Sequence, residues 1–310
     1  MKQILTRLVL TVPVVWLVVS LVFLLIHLVP GDPIQMMLGE GATPADIGAL
    51  RHQLGLDLPL HTQYIRYWSG VLHGDLGNSI RLHDSVSHLI AMRYPYTLAL
   101  TLAALVLGLV LAVPAGILAA VERGRWIDQV LSVVSLFGLS VPVIALGPVL
   151  ILVFSIALGW LPVSGANAGG TNSIDWRYLI LPSVAMGASL AAILTRMVRT
   201  AMLEELGQDY IRTARAKGLS ETAVVYLHAL PNALVPIVTL IGLQFGVLLA
   251  GAVVTEKIFS WPGLGRLVVD SIANRDYALV QGCLLSIGLT YVLVNLMTDV
   301  VYRWINPRMR

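Results

Sequence analysis

The polar chemistry of this chain is concentrated in one short island between two apolar runs: Asp209, Tyr210, Arg212, Thr213, Ala214, Arg215, Lys217 and Gly218, with Leu230 and Pro231 closing it. The acid at its start and the cations Arg215 and Lys217 near its end complement a helix dipole, and Thr213, Ala214 and Ala216 are small enough for another surface to approach closely. Gly218 suits the left-handed residue that stops such a helix. Ser220 can cap a second helix with Glu221 in its first turn, and Leu219 is placed to staple against Val224. Pro231 lacks the N–H that would reach the carbonyl of Leu227, so the sequence predicts a break there, just before the next apolar run. The pattern describes a short, rigid, bent element to be gripped and pushed. The plainer alternative is a solvated linker.

Covalent and nucleotide chemistry is missing from the rest of the sequence. No Gly-x4-Gly-Lys-Ser/Thr phosphate loop and no His-Glu-x-x-His metal motif occurs. Cys283 is alone, which rules out an intrachain disulfide or cysteine metal cluster and leaves a small packing residue. The ionisable residues of the apolar runs fall at their ends: Glu256 and Lys257, Asp299 and Arg303, and Arg196 and Arg199. There they can snorkel or pair at an interface, and none is placed as a mid-membrane relay. Gln244, Glu256 and Trp261 are the candidate pathway or outer-mouth residues. No catalytic residue and no metal ligand set is expected, so uphill movement of a solute would need a partner to supply the work.

The elements that position the island are set by composition. Of 310 residues, 57% are hydrophobic and 12% charged, with a mean hydropathy of +0.83; a soluble domain carries about 25% charged residues. The aromatics are too few and the runs too long for an outer-membrane barrel. The fold expected is therefore an all-α polytopic membrane protein with about six transmembrane helices, near 8–29, 96–120, 130–158, 178–198, 233–255 and 280–304. The first run follows Lys2 and Arg7 but offers no small-x-small cleavage site before Pro30-Gly-Asp-Pro33, and reads as an uncleaved anchor. An even number of spans puts both termini on one side. That side holds 12 of the 20 Lys and Arg, including Arg123, Arg125, Arg212 and Arg215, so both termini and the island are expected to be cytoplasmic. The net charge of +3 then reflects topology, with no support for nucleic acid as a partner.

Three regions follow: an anchor over 1–30, a periplasmic segment over 31–95, and a core of five spans over 96–310 with its coupling loop at about 200–232. In the outer segment Tyr64, Trp68, Val71 and Leu72 recur at helical spacing, as an amphipathic helix resting on the spans or the interface requires. Residues 159–177 read as a flexible connection. Phe259-Ser-Trp-Pro-Gly-Leu-Gly-Arg266 must turn, with Trp261 favouring the membrane interface. Small residues at every fourth position, Ala104, Gly108, Ala112 and Gly116 in the second span and Gly242, Gly246 and Ala250 in the fifth, mark faces for close helix packing.

Arg212-Thr-Ala214, Gly218 and Leu230-Pro231 have the spacing of Glu-Ala-Ala-x3-Gly-x9-Ile-x-Leu-Pro, the cytoplasmic loop of binding-protein-dependent ABC importer permeases, with Arg212 in place of Glu, Thr213 of Ala and His228 of Ile. Gly207 to Ser220 resembles the loop of the dipeptide and oligopeptide permeases. So do Leu28-Val-Pro-Gly-Asp-Pro33, Gly74-Asp-Leu-Gly77, Trp261-Pro-Gly-Leu-Gly-Arg266 and Ile305-Asn-Pro-Arg308. From Thr213 to Asp299, including Gly242-Leu-Gln-Phe-Gly246, the chain is especially similar to the glutathione permease of that group. The resemblance implies a type I importer permease fold in a bacterial inner membrane. It implies a heterodimer with a second permease, two ATPase subunits that carry ATP and Mg, and a periplasmic or lipid-anchored substrate-binding protein. This chain itself would bind no cofactor and touch only its partners, the solute and membrane lipid. Nickel complexes and other small solutes are alternative cargoes of the same branch; a passive channel or membrane enzyme is a more distant alternative.

Overall fold

A computed structural model describes residues 2–28, 33–38, 43–167 and 173–305. Val29 to Asp32, which hold most of the Pro-Gly-Asp-Pro motif, Ala168 to Asn172 of the second outer loop, and Asn306 to Arg310 lie outside the described residues. In chain order the helices are α1 (Lys2–Leu28), α2 (Pro33–Leu38), α3 (Pro44–Gln53), α4 (Leu60–His73), α5 (Val86–Val121), α6 (Trp126–Ser140) and α7 (Val143–Leu150). After a wide π-helical stretch, Ile151–Ala157, follow α8 (Trp176–Leu206), α9 (Asp209–Ala216) and α10 (Glu221–Ala223). A second π-helical stretch, Val224–Ala229, leads into α11 (Leu230–Ile258), α12 (Leu264–Ala273) and α13 (Tyr277–Ile305). Among the described residues the only β pairing is a single bridge between Asn78 and Ser85.

Among the described residues five helical stretches are long and apolar enough to cross a membrane, and α6 with α7 and the π-helical stretch after it makes a sixth if that bent pair is one span. The third apolar run is therefore not the single helix its hydropathy suggests: it bends by 99° between Ser140 and Val143. The cause is local. Pro142 forces the preceding Val141 out of the helical region, to φ −89° and ψ 113°.

The chain forms two compact units. The first comprises Met1–Thr97 and Pro262–Val292. In it α4 lies along α1: Tyr64 shares a 2.7 Å hydrogen bond with Ser20, and Tyr67, Trp68 and Val71 pack against buried Val19, Val22 and Leu285. Leu72, expected on that face, is 75% exposed, and Tyr67 takes the inward position instead. Buried Ser79 donates to Asp276 at 2.5 Å, tying the segment before α5 to the start of α13. Cys283 is fully buried in this unit, as a packing residue should be.

The second unit comprises Leu98–Trp261 and Leu293–Arg310, with α8 packed against α6, α7 and α11. The small-residue ridge of α5 is what lets α8 come close. A Cβ on Gly108 would stand 2.7 Å from Leu190 Cδ2, and one on Gly116 would stand 2.6 Å from Val198 Cβ and 2.8 Å from the carbonyl of Thr195. Ala104 and Ala112 on the same ridge have no exposed surface. The ridge of α11 is shorter than its spacing suggests: Gly242 presses on Thr298, while Ala250 faces outward.

Candidate functional site

α9 forms with Asp209 in its first turn and Arg215 in its last, the polarity the helix dipole favours. Ile211 and Ala214, three residues apart, put one face of this helix inward, against Val198, Ala201 and Met202 of α8 and Val224 and Val225 of the following stretch. Ala214 is only 6% exposed. The small residue expected to admit a partner's surface is thus occupied by the chain's own core. Asp209, Arg212, Thr213, Ala216, Lys217 and Gly218 face out, and Tyr210 and Arg215 are half-exposed beside them.

Tyr210 pins the other flank. Its hydroxyl donates to Glu205 Oε2 at 2.6 Å and accepts from Asn232 Nδ2 at 3.0 Å, joining the end of α8 to the first turn of α11. Partial burial, and then the hydrogen bond to Glu205, push the phenol above its usual range. Glu205 and Asn232 were not singled out by sequence; only a tyrosine that had to be satisfied hinted that partners must exist.

The turn after α9 follows local chemistry closely. Gly218 takes φ +81°, the left-handed conformation, and its N–H reaches the carbonyl of Arg215 at 2.9 Å. Ser220 caps the next helix by accepting the N–H of Ala223 at 3.3 Å. Arg215 clasps Glu221 across the turn, Nε to Oε1 at 2.8 Å and Nη2 to Oε2 at 3.2 Å, which keeps the guanidinium firmly protonated. Leu219 stays 41% exposed beside a fully buried Val224. A cleft of about 270 Å³ opens next to this clasp, lined by Arg123, Leu206, Arg215, Glu221 and Val225 among others.

Pro231 does not break the chain. Residues Glu221–Ile258 run as one helical stretch, because the turns of Val224–Ala229 widen to the π pattern and absorb the proline at the start of α11. The second half of the island is consequently an extension of the α11 span, not a separate hinge-bound helix. Leu230 packs on the same cluster that holds Ala214, while Pro231 faces out.

The outer-mouth candidates fare differently. Trp261 and Glu256 have no exposed surface, and the backbone N–H of Trp261 bonds the carbonyl of Glu256 at 2.8 Å. Both side chains are therefore enclosed by the described residues of this chain. The turn at Trp261 is fixed by Ser260 at φ +48° and by Gly165, whose N–H reaches the carbonyl of Phe259 at 2.9 Å. Gln244 is half-buried. Among the described residues no group of three or more metal-ligating side chains occurs.

Among the described residues, helices long and apolar enough to cross a membrane, with a charged loop built onto the ends of two of them, describe a multi-pass membrane subunit. The chain belongs to the family described as "Binding-protein-dependent transport system inner membrane component", which matches residues 112–310; the corresponding N-terminal family matches residues 1–101. It is an inner-membrane permease of that class. It is 45% identical over 310 residues to the glutathione transport system permease protein of Escherichia coli strain K12, covering 100% of this chain and 99% of the relative. The same protein from Salmonella choleraesuis strain SC-B67 matches at the same identity and coverage. Among solved structures, the inward-facing methionine ABC transporter MetNI aligns with a TM-score of 0.56 at 21% identity, over 70% of this chain and 96% of that one. An amino acid ABC transporter with histidines aligns at 0.53 and 16%, over 72% and 94%. At those identities the likeness establishes the type of fold.

Proposed function

We propose that this chain is one of two membrane subunits of an ATP-driven importer for dipeptides, oligopeptides or glutathione-like peptides. The observation that carries the cargo class is the full-length 45% identity to a glutathione transport permease. Its partners would be a second, related permease, two ATPase subunits that hold ATP and Mg, and a substrate-binding protein that delivers cargo from outside. The chain performs no covalent chemistry in this reading. The charge distribution supports cytoplasmic termini and a cytoplasmic loop around α9.

The loop is the proposed point of ATPase contact. Arg212, Thr213, Lys217 and the half-exposed Tyr210 and Arg215 present its outer face, while Ile211 and Ala214 anchor it to α8. ATPase closure would displace α9, and through that buried anchor the spans would alternate between inward- and outward-facing arrangements. The test is reconstitution of the chain with its genomic neighbours in proteoliposomes. ATP-dependent accumulation of glutathione or dipeptides that requires the binding protein is the expected result. Uphill uptake by this chain alone, driven by a proton gradient, would overturn the reading.

A further inference from the structure

We infer that Asp128 and Arg199 form a positioning link that carries movement of the α9 loop into the bent α6–α7 span. The inference rests on the coupling role proposed for α9 and names the route inside this subunit. The residues lie on different helices, 71 positions apart. Arg199 on α8 grips Asp128 on α6 with a two-pronged fork, Nε to Oδ1 at 2.6 Å and Nη2 to Oδ2 at 2.8 Å. Asp128 Oδ2 also accepts the N–H of Gly124 at 2.9 Å, and its Oδ1 accepts from Ser132 Oγ at 3.5 Å. The Asp128 side chain is 7% exposed and that of Arg199 29%.

A planar fork fixes direction as well as distance, which apolar contacts do not. It sets the rotation of α6 on α8 at the end that follows the Arg123–Arg125 turn. Further along, the close contact is a small-residue one, where a Cβ on Gly138 would stand 3.0 Å from that of Ala192. The outward side of α6, with Val130, Val133, Val134 and Phe137, stays about half or more exposed among the described residues. On the α8 side, Val198, immediately before Arg199, packs in the cluster that holds Ile211 and Ala214 of α9. One turn of α8 thus grips the loop through its apolar side and α6 through its charged one. Beyond the 99° bend, α7 packs on α8 and α11, so rotation of α6 is delivered to the body of the unit.

The test uses the full complex in proteoliposomes, with Asp128→Asn and Arg199→Lys, radiolabelled glutathione as probe, and spin labels at Val130 on α6 and Met197 on α8. We expect Asp128→Asn to retain ATPase association and ATP hydrolysis while glutathione moved per ATP falls about tenfold. Arg199→Lys, which keeps the charge and loses the fork, should fall between. In the parent complex the label distance should be single-valued and alike without nucleotide and with ATP–vanadate; in Asp128→Asn it should broaden and become nucleotide-dependent. An unchanged transport ratio, a proportional loss of hydrolysis and uptake together, or an unchanged label distance each overturns the link. If Asp128→Asn fails to assemble, the same criteria are applied to Arg199→Lys. If the parent complex carries no glutathione, the label distances decide. Failure of any ATPase to bind the parent chain would instead sink the loop reading, and the α6–α8 distance could still be read in the isolated chain.

Discussion

Replacing Gly218 isolates backbone conformation from sterics. A Cβ at this position would meet nothing within 4 Å, yet φ is +81°. The cost of a side chain is therefore almost purely conformational, about 1–2 kcal/mol for an ordinary residue in the left-handed region, highest for a β-branched one and lowest for Asn. The protein can bear that strain or release it by reopening the turn. Release would break the bond from the Gly218 N–H to the Arg215 carbonyl and misalign the clasp between Arg215 and Glu221. If the ATPase recognises the closed turn, its affinity can fall by no more than the strain removed, about five- to thirty-fold for 1–2 kcal/mol. Titration of the detergent-solubilised chain with its ATPase should rank affinity as Gly, then Asn, then Ala, then Val at position 218, with the three variants inserting as the parent does. Wild-type affinity for Gly218→Val, or equal losses for Asn and Val, would refute the argument that the left-handed turn is what the partner reads.

Gly116→Leu should destabilise the chain by about 1–3 kcal/mol, because its Cβ alone would overlap Val198 and the Thr195 carbonyl; Gly251→Ala, with open space around it, should not, and thermal unfolding of the two in detergent compares them directly. Ala214→Trp should lower the melting temperature of the isolated chain by overfilling its own cluster, before any effect on ATPase affinity is measured. Tyr67→Phe should stabilise by about 1 kcal/mol, since the buried hydroxyl has no hydrogen-bond partner among the described residues. Burial holds that phenol at about 12, above the usual 10.0, so the unfolded chain loses its proton first and stability falls as pH rises between those values; the Phe variant should lose that part of the alkaline decline. Reporter fusions after Arg125 and Ser220 should be cytoplasmic and those at Asp57 and Asn274 external, and an external signal at Ser220 would remove the proposed ATPase contact.

Much of what short-range chemistry decides is legible in the sequence, the bend at Pro142 being a local feature that hydropathy hides. Gly218 and Ser220 behave as their types demand because the turn and the cap each involve residues no more than a few positions apart. The helical class followed from apolar length alone. Harder to read are the features that depend on which neighbour a side chain meets. Trp261 is fully enclosed although tryptophan favours membrane interfaces, and nothing in its neighbouring residues announces that enclosure. Pro231 sits in a continuous helix because widened turns ahead of it relieve the clash that a regular α-helix would suffer. Asp128 drew no attention as a lone acid near an apolar run, since its meaning depends on Arg199 far along the chain. The inward place of Ala214 is legible in the sequence. Ile211 is the one large aliphatic side chain in α9 and had to face inward, and a residue three positions later shares its face. Once that face is turned inward, the surface left for a partner is polar and of mixed charge, with Arg212 paired to Asp209, Arg215 paired to Glu221, and Lys217 and Thr213 beside them. An ATPase that docks there must answer it with hydrogen bonds and charges of both signs at the rim of its groove, not with an apolar pocket for Ala214.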